Sequence, residues 1–167
     1  MAEIVNKVAQ SGLITFNLEE HLPAQIKGFD LAPFLFQGLI LKEKDFRAAL
    51  KEHDWAAYKN FDVCLFCSAD AIIPHWAYML LTSYLAGVAN SIHFGSIAEC
   101  KKIIFLENLK NIDTSQYADK RIIIKGCGEA EVDTYAYVEI TRLFLPVAKS
   151  LMYGEPCSTV PIYKKKK

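Results

Sequence analysis

Arg121-Ile122-Ile123-Ile124-Lys125-Gly126-Cys127-Gly128 is the stretch on which the fold class turns. Three isoleucines between two charged residues make a buried strand, and the glycines break it. Downstream the apolar period changes. Tyr137, Ile140, Thr141, Phe144, Ala148 and Leu151 track one face, so the spacing predicts a long helix over 132–153. Pro146 kinks or ends it, and Gly154 suits its stop. A short extended tail, Thr159-Val160-Pro161-Ile162-Tyr163, follows.

Working back from that stretch, residues 97–108 read as a helix, although Ile103-Ile104-Phe105-Leu106 also suits a strand. Ile92-His93-Phe94 reads as a short strand, and Pro74 opens a helix continuing over 76–86. The apolar run 61–67 is a buried strand. Phe46, Ala49 and Leu50, ringed by Lys42, Glu43, Lys44, Arg47 and Lys51, mark an amphipathic helix near 43–53. Asp30 caps a short segment through Phe36. Residues 13–18 alternate as a strand, and residues 3–10 read as weakly helical. Strand–helix alternation predicts an α/β protein, with a mainly parallel or mixed sheet and helices on both of its faces.

The totals bound the rest. The 167 residues make one domain, expected over 1–163, with a basic, disordered tail over 164–167, for which attraction to phosphate is the minor alternative. A hydrophobic content of 52% fills a core. Lys+Arg and Asp+Glu balance at 19 each, so no net field favours nucleic acid or an anionic membrane. The chain starts without the basic-then-apolar order of an export signal, and no apolar run has the length of a membrane span. The expected location is the cytoplasm. There, five cysteines are thiols, metal ligands or core fillers rather than a disulfide framework.

Two strand-to-helix turns carry the candidate chemistry: 67–76, with Cys67, Asp70 and His75, and 125–129, with Cys127 between two glycines. Ligands of open α/β sheets bind beyond the carboxyl ends of strands. Cys127 is read as a metal ligand or nucleophile, or equally as a small thiol in a half-buried turn. Cys64-x-x-Cys67 has metal-binding spacing, but residues three apart on a strand face opposite ways, so Cys64 is read as core. Cys157 lies in a polar turn. Cys67, Cys127, Cys157 and Asp70 would make a ligand set for zinc or iron. A straight helix over 132–153 would carry Cys157 to the opposite sheet edge, so the set needs a break at Pro146, a return path or a second subunit. Asp70 is alternatively a helix cap. Cys100, beside Lys101 and Lys102, reads as incidental on a surface helix, and His21, His53 and His93 as caps or surface residues. Trp76, Tyr78, Tyr135 and Tyr137 line a pocket or belong to the core. No Walker loop, dinucleotide fingerprint, nucleophile elbow or His-Glu-x-x-His motif is present, so no nucleotide cofactor motif is read.

Over nearly its full length the chain resembles an uncharacterised bacterial family, domain of unknown function 2480. The resemblance rests on Phe36-Gln37-Gly38-Leu39-Ile40-Leu41-Lys42-Glu43-Lys44-Asp45-Phe46-Arg47, on Cys67-Ser68-Ala69-Asp70-Ala71-Ile72-Ile73-Pro74 with Trp76-Ala77-Tyr78-Met79, on Lys125-Gly126-Cys127-Gly128, and on Lys149-Ser150-Leu151-Met152 leading to Gly154-Glu155-Pro156-Cys157-Ser158. It implies no reaction. Its pattern includes Cys67, Cys127 and Cys157 but not His75 or Cys64, which lowers the standing of the last two. Three readings follow. The first is a metal-binding α/β protein with Cys67, Asp70, Cys127 and Cys157 as ligands. The second is a metal-free cysteine enzyme or redox protein using Cys127, with Cys67 or Cys157 as resolving partner. The third is a non-enzymatic interaction module with a second copy of the chain as partner, a homodimer.

Overall fold

The computed structural model describes residues 12–126, 128 and 130–166. Among the described residues seven strands form two sheets. In chain order the elements are β1 (Leu13–Asn17), β2 (Ile26–Asp30), α1 (Glu43–Glu52), β3 (Asp62–Phe66), α2 (His75–Leu85), β4 (Ser91–Phe94), α3 (Ile97–Lys110), β5 (Arg121–Lys125), α4 (Thr134–Phe144), β6 (Ser150–Glu155) and β7 (Ser158–Lys164). One sheet has the order β1-β5-β6-β7 and the other β2-β3-β4. These strands pair in parallel except for β6 with β7, and Phe36 and Ile40 form an isolated antiparallel bridge. The class is α/β, as the alternation predicts. The chain divides into two compact units, Met1–Leu22 with Phe105–Lys167, and Pro23–Ile104.

The unit Pro23–Ile104 is built on βαβ crossovers. Val63 and Leu65 point from β3 to one face and pack with Phe46 and Leu50 of α1 and Ala77, Leu81 and Leu85 of α2. Cys64 points to the other face and meets Cys100 and Ile104 of α3. This sheet therefore carries helices on both faces. Helix α1 is amphipathic as its spacing predicts, with a Glu43–Arg47 ion pair of 2.9 Å on its wet side. The ambiguous run at 103–106 is helical. Strand β2 escapes the sequence pattern because Lys27 and Gly28 interrupt it. Its partner β3 supplies the missing order, with Gly28 opposite Cys64.

In the other unit, β5 lies between β1 and β6, and Ile122, Ile123 and Ile124 are buried. Ile122 and Ile124 pack with Phe105 and Leu109 of α3, Ala136, Ile140 and Phe144 of α4, and Leu151 of β6. The long helix expected over 132–153 is not formed. Helix α4 ends at Phe144, Pro146 lies in the turn beyond it, and the chain from Ser150 is a strand. Phe144, Ala148 and Leu151 are buried as their spacing predicts, but Leu151 reaches the core from β6. Pairing with β5 and β7 satisfies backbone groups that the helix would have satisfied locally.

Strand order also runs past the boundary expected at residue 163. Lys164 pairs with Ser150, and the Lys165 N–H donates to the Lys149 carbonyl at 2.9 Å. The helical reading of residues 3–10 lies outside the described residues. No helix among the described residues is long and apolar enough to cross a membrane.

Candidate functional site

At the carboxyl edge of β2-β3-β4, backbone hydrogen bonds from Leu31 to Phe66 and from Gly95 to Leu65 join the strand ends, and one carboxylate ties β2 to the turn beyond β3. Asp30, the last residue of β2, accepts from the Ala32 N–H at 2.9 Å, but it is not the cap that its sequence position suggests: the short helical turn Ala32–Phe34 has Leu31 at its N-cap, with no side-chain cap bond. Asp30 also accepts from the Ser68 N–H at 2.9 Å and the Ser68 hydroxyl at 2.5 Å, just past the end of β3. Partial burial pushes the Asp30 carboxyl up, but the hydrogen bonds from Ser68 and Ala32 pull it below the ordinary value. The end of β4 is tied by a capping box, in which the Ser96 N–H donates to the Glu99 carboxylate at 2.8 Å and the Glu99 N–H to the Ser96 hydroxyl at 3.3 Å.

Between these ties, residues 67–74 form an irregular loop that leads through Pro74, the N-cap of α2, into the helix. The loop, the first turns of α2 and the end of β4 enclose a cleft of about 390 Å³ lined by Ala71, Ile73, His75, Tyr78 and Phe94. The Tyr78 and Phe94 rings meet edge to face at 5.1 Å. Phe94 is 68% exposed and Ile72, on the loop, 95% exposed. Burial pushes the Tyr78 phenol up, and the negative charge of Cys67 in its thiolate form pushes it further. The phenol is therefore a neutral hydrogen-bonding group at physiological pH. A second cleft of about 310 Å³ is lined by Phe29, Asp30, Pro33, Phe34, His53 and Tyr58. Its rings pack on one another, with Phe29 and Phe34 stacked at 5.5 Å, and form part of the core.

Of the residues singled out by sequence, Cys67 and Asp70 lie on the loop, with Asp70 exposed and Cys67 half-buried. His75 lines the cleft. Cys157 is exposed in the turn between β6 and β7, in the other unit. Cys127 lies outside the described residues. The opposite-edge objection to Cys157 disappears: β6 runs parallel to β5, so Cys157 follows a strand that ends beside the end of β5, where Lys125 and Glu155 pair at 3.0 Å. On that edge the Gly128 N–H donates to the Glu19 carboxylate. Among the described residues no group of three or more His, Cys, Asp or Glu side chains is placed to hold a metal ion.

Cys64 is buried, as read. Cys100 is not a surface residue. It is fully buried against Cys64, because α3 turns this side to the sheet and Lys101 and Lys102 to solvent. Cys64, Cys67, Cys100 and Cys157 are all free thiols. The sequence reading missed Ser68 and Phe94 as site residues. Each lies at or just past a strand end, and that position was the available signal.

A family model described as Protein of unknown function (DUF2480) matches residues 2–165. The chain belongs to this family. No curated protein and no solved structure matches it. In this DUF2480 chain the loop Cys67-Ser68-Ala69-Asp70-Ala71-Ile72-Ile73-Pro74 is the segment that Asp30 anchors and that walls the larger of the two clefts. The family description names no activity, so the functional reading rests on the geometry of that loop.

Proposed function

We propose that this chain binds a small, largely apolar molecule in the cleft between the 67–74 loop, α2 and Phe94. The observation that carries the reading is the cleft itself: about 390 Å³, walled by Ile73, Tyr78 and Phe94, at the carboxyl edge of a parallel sheet. Ligand pockets of α/β proteins concentrate at that edge and have this order of size. The apolar walls supply burial. The Tyr78 hydroxyl and the His75 imidazole supply orientation, and the Cys67 thiol lies beside Tyr78. The test is a ligand-observed NMR screen of small aromatic fragments, indole and phenol among them, followed by amide shift mapping. Binding that shifts residues 67–78 and 94, and weakens about tenfold or more in Phe94→Ala, supports the reading. Fragments that fail to bind, or bind with no response to Phe94→Ala and Ile73→Ala, overturn it.

A thiolate site for zinc or iron is a second reading, and the return path of β6 favours it. Cys157 follows a strand parallel to β5, whose end leads through Gly126 to Cys127. Metal analysis of protein purified without a polyhistidine tag, under reducing and chelator-free conditions, tests it. One equivalent of zinc or iron, lost in Cys157→Ser, supports it, and a content near zero removes it.

A further inference from the structure

The four-stranded sheet gathers at its amino edge lysines that are far apart in the chain. Lys120 precedes β5, Lys149 precedes β6, and β7 runs antiparallel, so its end brings Lys164, Lys165 and Lys166 to the same edge. Backbone hydrogen bonds knit the three segments. The Lys149 N–H donates to the Lys120 carbonyl at 2.8 Å, and the Lys165 N–H to the Lys149 carbonyl at 2.9 Å. Between them lies a cleft of about 330 Å³ lined by Asp119, Lys149, Lys165 and Lys166. Among the described residues Asp119 is its one acid, and it pairs with Lys165 at 3.1 Å. Among the described residues, Lys149 and Lys166 have no acidic partner.

We propose that this cleft is a binding site for a compact phosphate chain, a di- or triphosphate. The reason is local charge density. The chain has no net charge, so this edge is a segregated positive field rather than part of a basic surface. Lys149 and Lys166 line one small cleft with Lys165, and an anion carrying several charges in little volume offsets their like charges at once. A phosphate chain has that charge density. The site lies in the other unit from the cleft assigned above and stands independently of it.

Calorimetric titration with inorganic tripolyphosphate tests the proposal on the full chain at low salt. The expected result is saturable one-to-one binding that weakens steeply with added salt. It falls about tenfold or more in Lys149→Gln/Lys166→Gln, two exposed sites where the fold is checked by melting temperature. It is unchanged in Lys51→Gln/Lys101→Gln, which alters net charge equally on the other unit. Adenosine triphosphate binding as well as tripolyphosphate supports recognition of the phosphate chain alone, and tighter binding supports a nucleotide source of it. No saturable binding, equal loss in the control pair, equal affinity for citrate, or an oligodeoxythymidylate binding about tenfold more tightly than either phosphate each overturns the proposal.

Discussion

The Asp30 carboxylate takes both the N–H and the hydroxyl of Ser68, at 2.9 and 2.5 Å, so a residue at the end of β2 holds the first turn beyond β3. The 67–74 loop has few backbone hydrogen bonds of its own. This tie fixes its start, and Cys67 and Ile73 pack it on the core.

Replacing Asp30 with Ala should cost about 1–3 kcal/mol, because it removes the charged acceptor of three hydrogen bonds. Chemical denaturation measures the loss, and amide exchange should localise it to residues 67–74. Since the folded carboxyl titrates below its ordinary 3.8, its contribution is present above that pH and is lost as pH falls through the folded value. The wild-type minus Asp30→Asn stability difference should therefore shrink below about pH 4. A difference constant from pH 7 to pH 3 would argue against an ionised tie.

The four described thiols should separate by reactivity. Cys157 is exposed, Cys67 half-buried, and Cys64 and Cys100 fully buried. Burial pushes the Cys64 thiol from 9.0 to about 12, aided by its hydrogen bond with Cys100 and by the nearby Asp62 charge. A disulfide reagent at pH 8 should modify Cys157 first and Cys67 more slowly, and reach Cys64 and Cys100 only on unfolding. Here the folded value is raised, so the neutral thiol stabilises the fold below pH 9 and that contribution is lost as pH rises toward 12. In Cys64→Ala the alkaline part of the stability profile should flatten.

Gly28 faces the side chains of Phe66 and Ile97. A Cβ added there would stand 2.8 Å from Phe66 Cε1 and 3.2 Å from Ile97 Cδ1. Gly28→Ala should destabilise by about 1–3 kcal/mol through overpacking, with Phe66→Leu in the same chain recovering part of it. Thermal or urea unfolding of the single and double variants checks both signs.

Gly154 in β6 has φ +119, and an added Cβ would meet the Ser158 backbone carbonyl oxygen at 2.5 Å. Neither backbone can yield without breaking the β6–β7 pairing. Gly154→Ala should cost more than Gly28→Ala and should raise amide exchange over 150–164. Equal stability of the two variants would show that the hairpin is looser than its register implies.

Local physics made much of this legible. Three adjacent isoleucines at 122–124 have only a buried strand as a good outcome, and Phe46 and Leu50 among charges have only an amphipathic helix. Cys67 and Asp70 were placed at a strand end by the apolar run before them. Cys100 was misread because two neighbouring lysines outweigh, in sequence, a face that α3 turns inward. Phe94 gave no sign of being part of a cleft wall, since its partner Tyr78 lies on a different element.

What the amino-acid order determined by itself is the α/β class, core positions such as Phe46, Leu50, Ile122, Ile123, Ile124, Ile140 and Phe144, and the stops at Gly126 and Pro146, all consequences of side-chain transfer and backbone sterics acting within a few residues. Tertiary structure decided the rest. It divided the strands between two sheets, made 150–155 a strand instead of the tail of a helix, and drew Lys149 and Lys165 to one edge. A strand's backbone groups are satisfied only by another strand, often distant in sequence, so pairing is a property of the whole chain and no local window contains it.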